Sequence, residues 1–143
     1  MNTKKVLTTF VGVYVVAMVL NFLIHGVLLE SYYMSPEMTG IMRPEAEMTS
    51  NMWIHFVTTL FFSFFFVFIF SKGYENRGIM EGVRYGVYVG LMVGIPMAYD
   101  SYAVYPMPYG LVLQWFLYDL LGYVVLGTVA ALLYKPKAAA PAA

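Results

Sequence analysis

The chain has 143 residues, of which 61% are hydrophobic and only 11% are charged. Soluble domains carry about 25% charged residues, so this composition indicates an integral membrane protein. The formal net charge is zero, which gives nucleic acid no basic surface to bind. Because the sequence lacks cysteine, it excludes disulfides, thiolate catalysis, iron–sulfur ligation and cysteine zinc sites.

Four apolar segments follow one another, and each is long enough to cross a hydrocarbon core of roughly 30 Å as a helix. They cover residues 6–29, 52–71, 80–104 and 110–134. Lys4 and Lys5 precede the first segment, but its apolar run is too long for a signal peptide and no A-x-A cleavage site follows. The sequence therefore predicts an all-α integral membrane four-helix bundle in one domain, 1–134, followed by a disordered tail over 135–143.

The distribution of lysine and arginine predicts the orientation, because cytoplasmic loops carry the excess of positive charge. Seven of the eight basic residues fall on one side of the four spans, and Arg43 is the exception. The seven are Lys4, Lys5, Lys72, Arg77, Arg84, Lys135 and Lys137. Both termini are therefore predicted to be cytoplasmic, and the 31–51 and 105–109 connections are predicted to face outward.

The outer connection over 31–51 is predicted to hold two short helices on the membrane surface. Ser35-Pro36-Glu37 has the pattern of an N-cap, a proline at the first helical position and an acid near the positive helix end. Pro44-Glu45 could open a second helix in the same way.

The methionines of this outer connection recur every four residues at Met34, Met38 and Met42. This spacing predicts one apolar stripe that holds the connection on the membrane surface. Thioether is also a soft ligand, so these methionines could bind Cu(I). Methionine at a membrane surface more often only fills apolar space.

Glycine recurs every fourth residue from Gly78 to Gly94 in the third segment. Each glycine inside a soluble helix costs about 1 kcal/mol against alanine, but in a membrane small residues let two backbones approach closely. The stripe should wind slowly, because four residues fall behind the 3.6-residue turn by about 40°. We expect a glycine zipper against a neighbouring helix, formed by Gly82, Gly86, Gly90 and Gly94. A groove for a partner subunit, a lipid or a pigment is the alternative.

Ionisable side chains inside the spans are costly, so they are candidates for function. The predicted topology places four of them in the outer half: His25, His55, Asp100 and Asp119. Asn21, Tyr99, Gln114 and Tyr118 lie at similar depths. The cytoplasmic half is expected to be packed and apolar.

Asp119 is the deepest of these residues, roughly two and a half turns into the fourth helix. A carboxyl group at that depth should be neutral or paired, and the candidate partners are His25, His55, Tyr99 and Arg43. Two interpretations remain open: a hydrogen-bonded polar core that fixes the helix register, or a functional site.

His25 and His55 lie at matched depth on helices predicted to be adjacent and antiparallel. Bis-imidazole sites in helical bundles are built in this way, so the pair could ligate a haem iron, or one histidine could ligate a chlorophyll-type pigment. The sequence has no c-type haem attachment motif, no P-loop, no GxSxG and no HExxH. A non-catalytic role is therefore favoured over an enzyme.

Three stretches carry a resemblance to a known group of proteins: HGVLLESYY, KGYENRGIMEGVRYGVYVGL and MAYDSYAVYPMPYGLVLQW. In these stretches the chain resembles small four-span bacterial membrane proteins to which no activity is assigned. The resemblance covers most of the chain. It implies the same bundle and a bacterial inner membrane, and it brings no catalytic residue with it.

The leading functional hypothesis is an accessory or structural subunit of a larger membrane complex, respiratory or photosynthetic. Its partners would be membrane lipid and other membrane subunits or further copies of the same chain. One alternative is a haem- or metal-binding redox protein that uses His25 and His55. Another is a small solute or proton pathway through Asp100 and Asp119.

Overall fold

The computed structural model describes residues 2–135, and within them the chain is helical and contains no strand. Helix α1 (Thr3–Leu23) continues as a π-helix (Ile24–Leu28), and the connection that follows holds α2 (Glu30–Tyr33), a 3₁₀ turn (Pro36–Met38) and α3 (Glu45–Ser50). The remaining helices are α4 (Met52–Lys72), α5 (Ile79–Val104) and α6 (Tyr109–Tyr134).

Four of these helices are long and apolar enough to cross a membrane: α1 with its π-helical end, α4, α5 and α6. The predicted all-α membrane four-helix bundle is confirmed. The predicted tail lies, from residue 136 onward, outside the described residues.

Two contacts define the ends of the bundle. The ammonium group of Lys5 donates to the carbonyl oxygen of Lys135 at 2.6 Å, so the start of α1 and the end of α6 lie together. At the opposite end, Gln114 near the start of α6 donates to Tyr32 at 2.9 Å, just beyond α1. We call the first the terminal end and the second the loop end. Helix α5 packs mainly on α6, and α1 packs on both α6 and α4.

Helices α5 and α6 approach backbone to backbone along the α5 glycines. A Cβ atom at Gly82 would overlap the carbonyl oxygen of Gly127, and a Cβ atom at Gly86 would lie 2.6 Å from Cα of Val124. At Gly90 a Cβ atom would lie 2.7 Å from the nearest side-chain atom of α6. At Gly82 and Gly86 the closest atoms belong to the backbone of α6, so only glycine fits at these two positions.

The close approach ends on both sides of these three glycines. A Cβ atom at Gly94 would lie 3.5 Å from Phe116, which is ordinary van der Waals contact. Gly78 precedes α5 at φ +77° and has open space around it, so its role is a turn and not helix contact.

Helix α4 meets α5 in the half of the bundle near the terminal end. The hydroxyl of Tyr85 donates to the carbonyl oxygen of Phe66 at 2.7 Å, and its ring packs on Phe66 and Phe70 with centroids 4.7 and 5.3 Å away. Nearer the loop end, no hydrogen bond or aromatic contact joins α4 to α5 within residues 2–135. The hydrogen bond and the aromatic contacts between these two helices are therefore confined to the half of the described bundle near the terminal end.

A buried carboxylate holds the connection between α4 and α5. Glu81, only 5% exposed, accepts hydrogen bonds from the backbone N–H groups of Glu75 at 2.6 Å and Arg77 at 2.8 Å. The carboxylate of Glu75 in turn pairs with Arg77 at 2.9 Å and Arg84 at 3.3 Å. The expectation of an apolar cytoplasmic half therefore misses Glu81, whose carboxyl group is buried with two backbone N–H groups as hydrogen-bond donors.

The connection at the loop end differs in part from the prediction. Helix α3 begins at Glu45, directly after Pro44, as predicted. Pro36 opens only a single 3₁₀ turn, and the buried hydroxyl of Ser35 makes no capping hydrogen bond within the described residues. The predicted methionine stripe is wrong, because Met38 is buried while Met34 is 72% exposed, and no continuous helix joins them.

Candidate functional site

The end of α1 departs from α-helical geometry where it carries His25. Residues Ile24–Leu28 form a π-helix, and the N–H of Leu29 donates to the carbonyl oxygen of Ile24 at 2.9 Å. π-Helical turns are rare and occur frequently at functional sites. The extra residue in the turn, followed by α2, returns the chain so that Tyr33 stacks beside the imidazole of His25, with ring centroids 6.1 Å apart.

The hydroxyl of Tyr33 joins α1 to α6. It lies 2.6 Å from Nδ1 of His25, and the indole N–H of Trp115 donates to it at 2.7 Å. Indole can only donate, so the tyrosine oxygen accepts from Trp115 and its own hydrogen is free to donate to Nδ1 of His25. In that arrangement the proton of the neutral imidazole is on Nε2, and His25 presents a donor.

Tyr33 is held in its neutral form by this environment. Burial raises the pKa of Tyr33 to about 12; the hydrogen bond from Trp115 opposes this shift, and the nearby charge of Asp119 adds to it. A phenol that stays neutral keeps its hydrogen available for His25.

Asp119 lies within electrostatic range of Tyr33, on α6, one helical turn from Trp115. It is half-buried, and no group within residues 2–135 forms a hydrogen bond with its carboxyl group. Arg43, one of its candidate partners, instead pairs with Glu47 at 3.2 Å on the surface. Polar side chains therefore lie near Asp119, but none of the described residues forms a hydrogen bond with its carboxyl group.

The other residues of the predicted polar layer are distributed over several places. Gln114 is bound to Tyr32, as described above. The ring of Tyr99 packs among aromatic side chains of α6, 6.2 Å from Phe116, and Asp100 is exposed near the loop end of α5. Asn21 and Tyr118 are half-buried. The structure thus brings His25 near Asp119 through Tyr33, and it leaves Asp100 outside this group.

His55 lies on α4 at the edge of an open cavity of about 490 Å³ at the loop end. It is close enough to His25 for the two imidazoles to interact electrostatically. The ring of His55 makes no hydrogen bond within the described residues, so either ring nitrogen is free to bind a ligand. His25 differs, because Nδ1 is bound to Tyr33 and Nε2 carries the proton in the arrangement above. A haem or pigment held by both histidines stays a prediction.

The sequence analysis did not predict the roles of three residues that form hydrogen bonds in this region: Tyr32, Tyr33 and Trp115. Tyrosine and tryptophan near span ends are ordinarily interfacial, which conceals a structural hydrogen-bonding role. The eight-residue separation of His25 and Tyr33 has no helical periodicity, and their contact spans the π-helix, Leu29 and α2. Within residues 2–135, no group of three or more His, Asp or Glu side chains is placed to hold a metal ion.

No protein-family model, curated protein or solved structure matches this chain. The class of protein is therefore set by the fold alone, as a small multi-pass helical membrane protein.

Proposed function

We propose that this membrane protein is a non-catalytic accessory subunit of a larger membrane complex and that Asp119 is a contact point for its partner. The observation that carries the proposal is the position of Asp119. It follows Tyr109, the first residue of α6, by ten positions, which is about 15 Å along the helix. That depth is near the middle of a hydrocarbon core of roughly 30 Å.

An Asp at the centre of a span costs about 2.5 to 3.5 kcal/mol on insertion scales, so a partner for its carboxyl group is expected. Within the described residues, none forms a hydrogen bond with Asp119. One turn along the same face of α6, Tyr123 packs against Phe62 of α4 with ring centroids 5.4 Å apart. Asp119 lies one turn from this contact, and under this proposal a polar group from a second subunit would reach its half-buried carboxyl group.

Blue-native electrophoresis in a mild detergent tests this proposal. The tagged wild-type chain should migrate in a large complex, and Asp119→Leu should release it as a small species. Asp100→Leu is the matched control, because Asp100 is exposed and lies outside the group formed by His25, Tyr33 and Asp119. Mass spectrometry of the large band should identify respiratory or photosynthetic subunits. Migration of the wild type alone, or as a small homo-oligomer, would count decisively against an accessory role.

A proton pathway is the second candidate, and the chain of groups from Asp119 to His25 favours it. Asp119 lies near Tyr33, and Tyr33 is hydrogen-bonded to His25, so polar groups extend from mid-span toward the loop end. Proton flux into liposomes should then fall with Asp119→Asn and be unaffected by Asp100→Asn. Equal flux in wild type and Asp119→Asn would remove this candidate.

We further propose that the terminal end faces the cytoplasm of a bacterial inner membrane. The distribution of lysine and arginine supports this orientation. The loop end, with His55 and its cavity, would then face outward, and the exposed apolar side chains of α1 and α4 would contact lipid.

A further inference from the structure

Helix α3 ends at Ser50, where the N–H of Asn51 donates to the carbonyl oxygen of Glu47 at 3.1 Å. Helix α4 begins at Met52, and the N–H of Ile54 donates to the carbonyl oxygen of Asn51 at 2.9 Å. A single residue, Asn51, therefore separates the two helices.

Three potential metal ligands lie on the two sides of this junction: Met48 in α3, and Met52 and His55 in α4. All three line the open cavity of about 490 Å³ at the loop end. The other lining residues are Arg43, Asn51, Ile54 and Thr58. Two thioethers and one imidazole therefore line the same cavity.

These side chains are available to a ligand. Met52 is 49% exposed, and Met48 and His55 are half-buried. Thr58 donates to the backbone carbonyl of His55 at 3.1 Å, which leaves the imidazole itself free.

We propose that Met48, Met52 and His55 bind one Cu(I) ion at the loop end of the bundle. Thioether ligands are soft and select Cu(I), and imidazole also suits copper. Among residues 2–135 no carboxylate lines the cavity, so hard cations such as Mg²⁺ and Ca²⁺ lack the charged oxygen ligands that they prefer. The guanidinium group of Arg43 also lines the cavity, and Glu47 pairs with it at 3.2 Å. The site is independent of the contact proposed for Asp119.

The test is a titration of the purified full-length protein in detergent with Cu(I), without oxygen, against the chelator bicinchoninate. One Cu(I) per chain should bind. Met48→Leu, Met52→Leu and His55→Gln should each weaken binding at least about tenfold, since loss even of an outer-shell partner typically costs 10–100-fold in metal affinity. Leucine conserves the volume of methionine, so the two leucine variants should fold.

Met34→Leu and Met97→Leu are the matched controls, because both side chains are exposed and lie outside the cavity lining. Their Cu(I) affinity should equal that of the wild type. X-ray absorption at the copper edge should show sulfur and nitrogen neighbours, with less sulfur in Met52→Leu. Absence of Cu(I) binding, wild-type affinity in the Met48→Leu/Met52→Leu/His55→Gln variant, or displacement of Cu(I) by equimolar Zn²⁺ would each overturn the proposal.

Discussion

Gly82 of α5 and Gly127 of α6 lie with their backbones in direct contact, so that a Cβ atom on either residue would overlap the carbonyl oxygen of the other. This pairing sets the separation of α5 and α6 near the terminal end. In a membrane, where apolar side chains gain little from leaving lipid, such contact is the main source of helix association.

Gly90→Leu should destabilise the bundle, because a Cβ atom there would already lie 2.7 Å from Leu120 and 3.2 Å from its backbone. Overpacking of this kind costs about 1–3 kcal/mol, and the expected result is a lower thermal midpoint in detergent. Gly94→Ala, whose new Cβ atom has ordinary contacts, should unfold like the wild type. If Gly90→Leu unfolds like the wild type as well, α5 and α6 are not packed through this face.

Tyr33→Phe should lower stability, because it removes the shared partner of His25 and Trp115. A buried donor left unsatisfied costs about 1–3 kcal/mol. The fluorescence of Trp115 reports the loss of its hydrogen bond and should change in this variant. Tyr105→Phe, at an exposed position, is the control and should leave both stability and emission unchanged. Unaltered emission in Tyr33→Phe would contradict the contact with Trp115.

The free energy of unfolding should also decrease at strongly alkaline pH because of the ionisation of Tyr33. Its pKa in the folded state is raised from 10.0 to about 12, so the folded state holds the phenolic proton more tightly than the unfolded state does. The resulting stabilisation is fully present below pH 10 and is lost as the pH rises toward about 12. Denaturation midpoints measured from pH 9 to 12 should fall more steeply for the wild type than for Tyr33→Phe; parallel curves would exclude this linkage.

The spans could be predicted because length and hydropathy determine them, and the close approach at Gly82 follows a pattern that is local in sequence. The hydrogen bonds of Tyr33 could not be predicted, because they depend on a π-helical turn and on residues 82 positions apart. Glu81 was missed for a related reason. Burying a carboxylate within a span costs free energy, so the sequence alone does not predict it. The two backbone N–H groups that donate to Glu81 belong to the connection between α4 and α5, and only the folded structure places them beside it.

Glu81→Ala should loosen the connection between α4 and α5. The wild-type carboxylate accepts two backbone N–H groups, of Glu75 and Arg77, and alanine accepts neither. Hydrogen exchange at these two amides should therefore be faster in the variant. Arg84→Ala is the control, since it removes only a half-exposed ion pair, worth about 0–1 kcal/mol. Protection that persists in Glu81→Ala would show that the carboxylate does not hold the connection.

The orientation of the chain in the membrane can be measured by labelling single introduced cysteines, because the sequence contains none of its own. Thr39 is exposed at the loop end, and Gly73 lies at the opposite end with open space where a side chain would stand. Since lysine and arginine concentrate near the terminal end, Thr39→Cys should react with a membrane-impermeant maleimide in intact spheroplasts, whereas Gly73→Cys should react only after lysis. The unsubstituted chain provides the background. The opposite labelling pattern would reverse the orientation and place the Cu(I) ligands on the cytoplasmic side, and equal labelling of both cysteines before lysis would contradict a fixed topology.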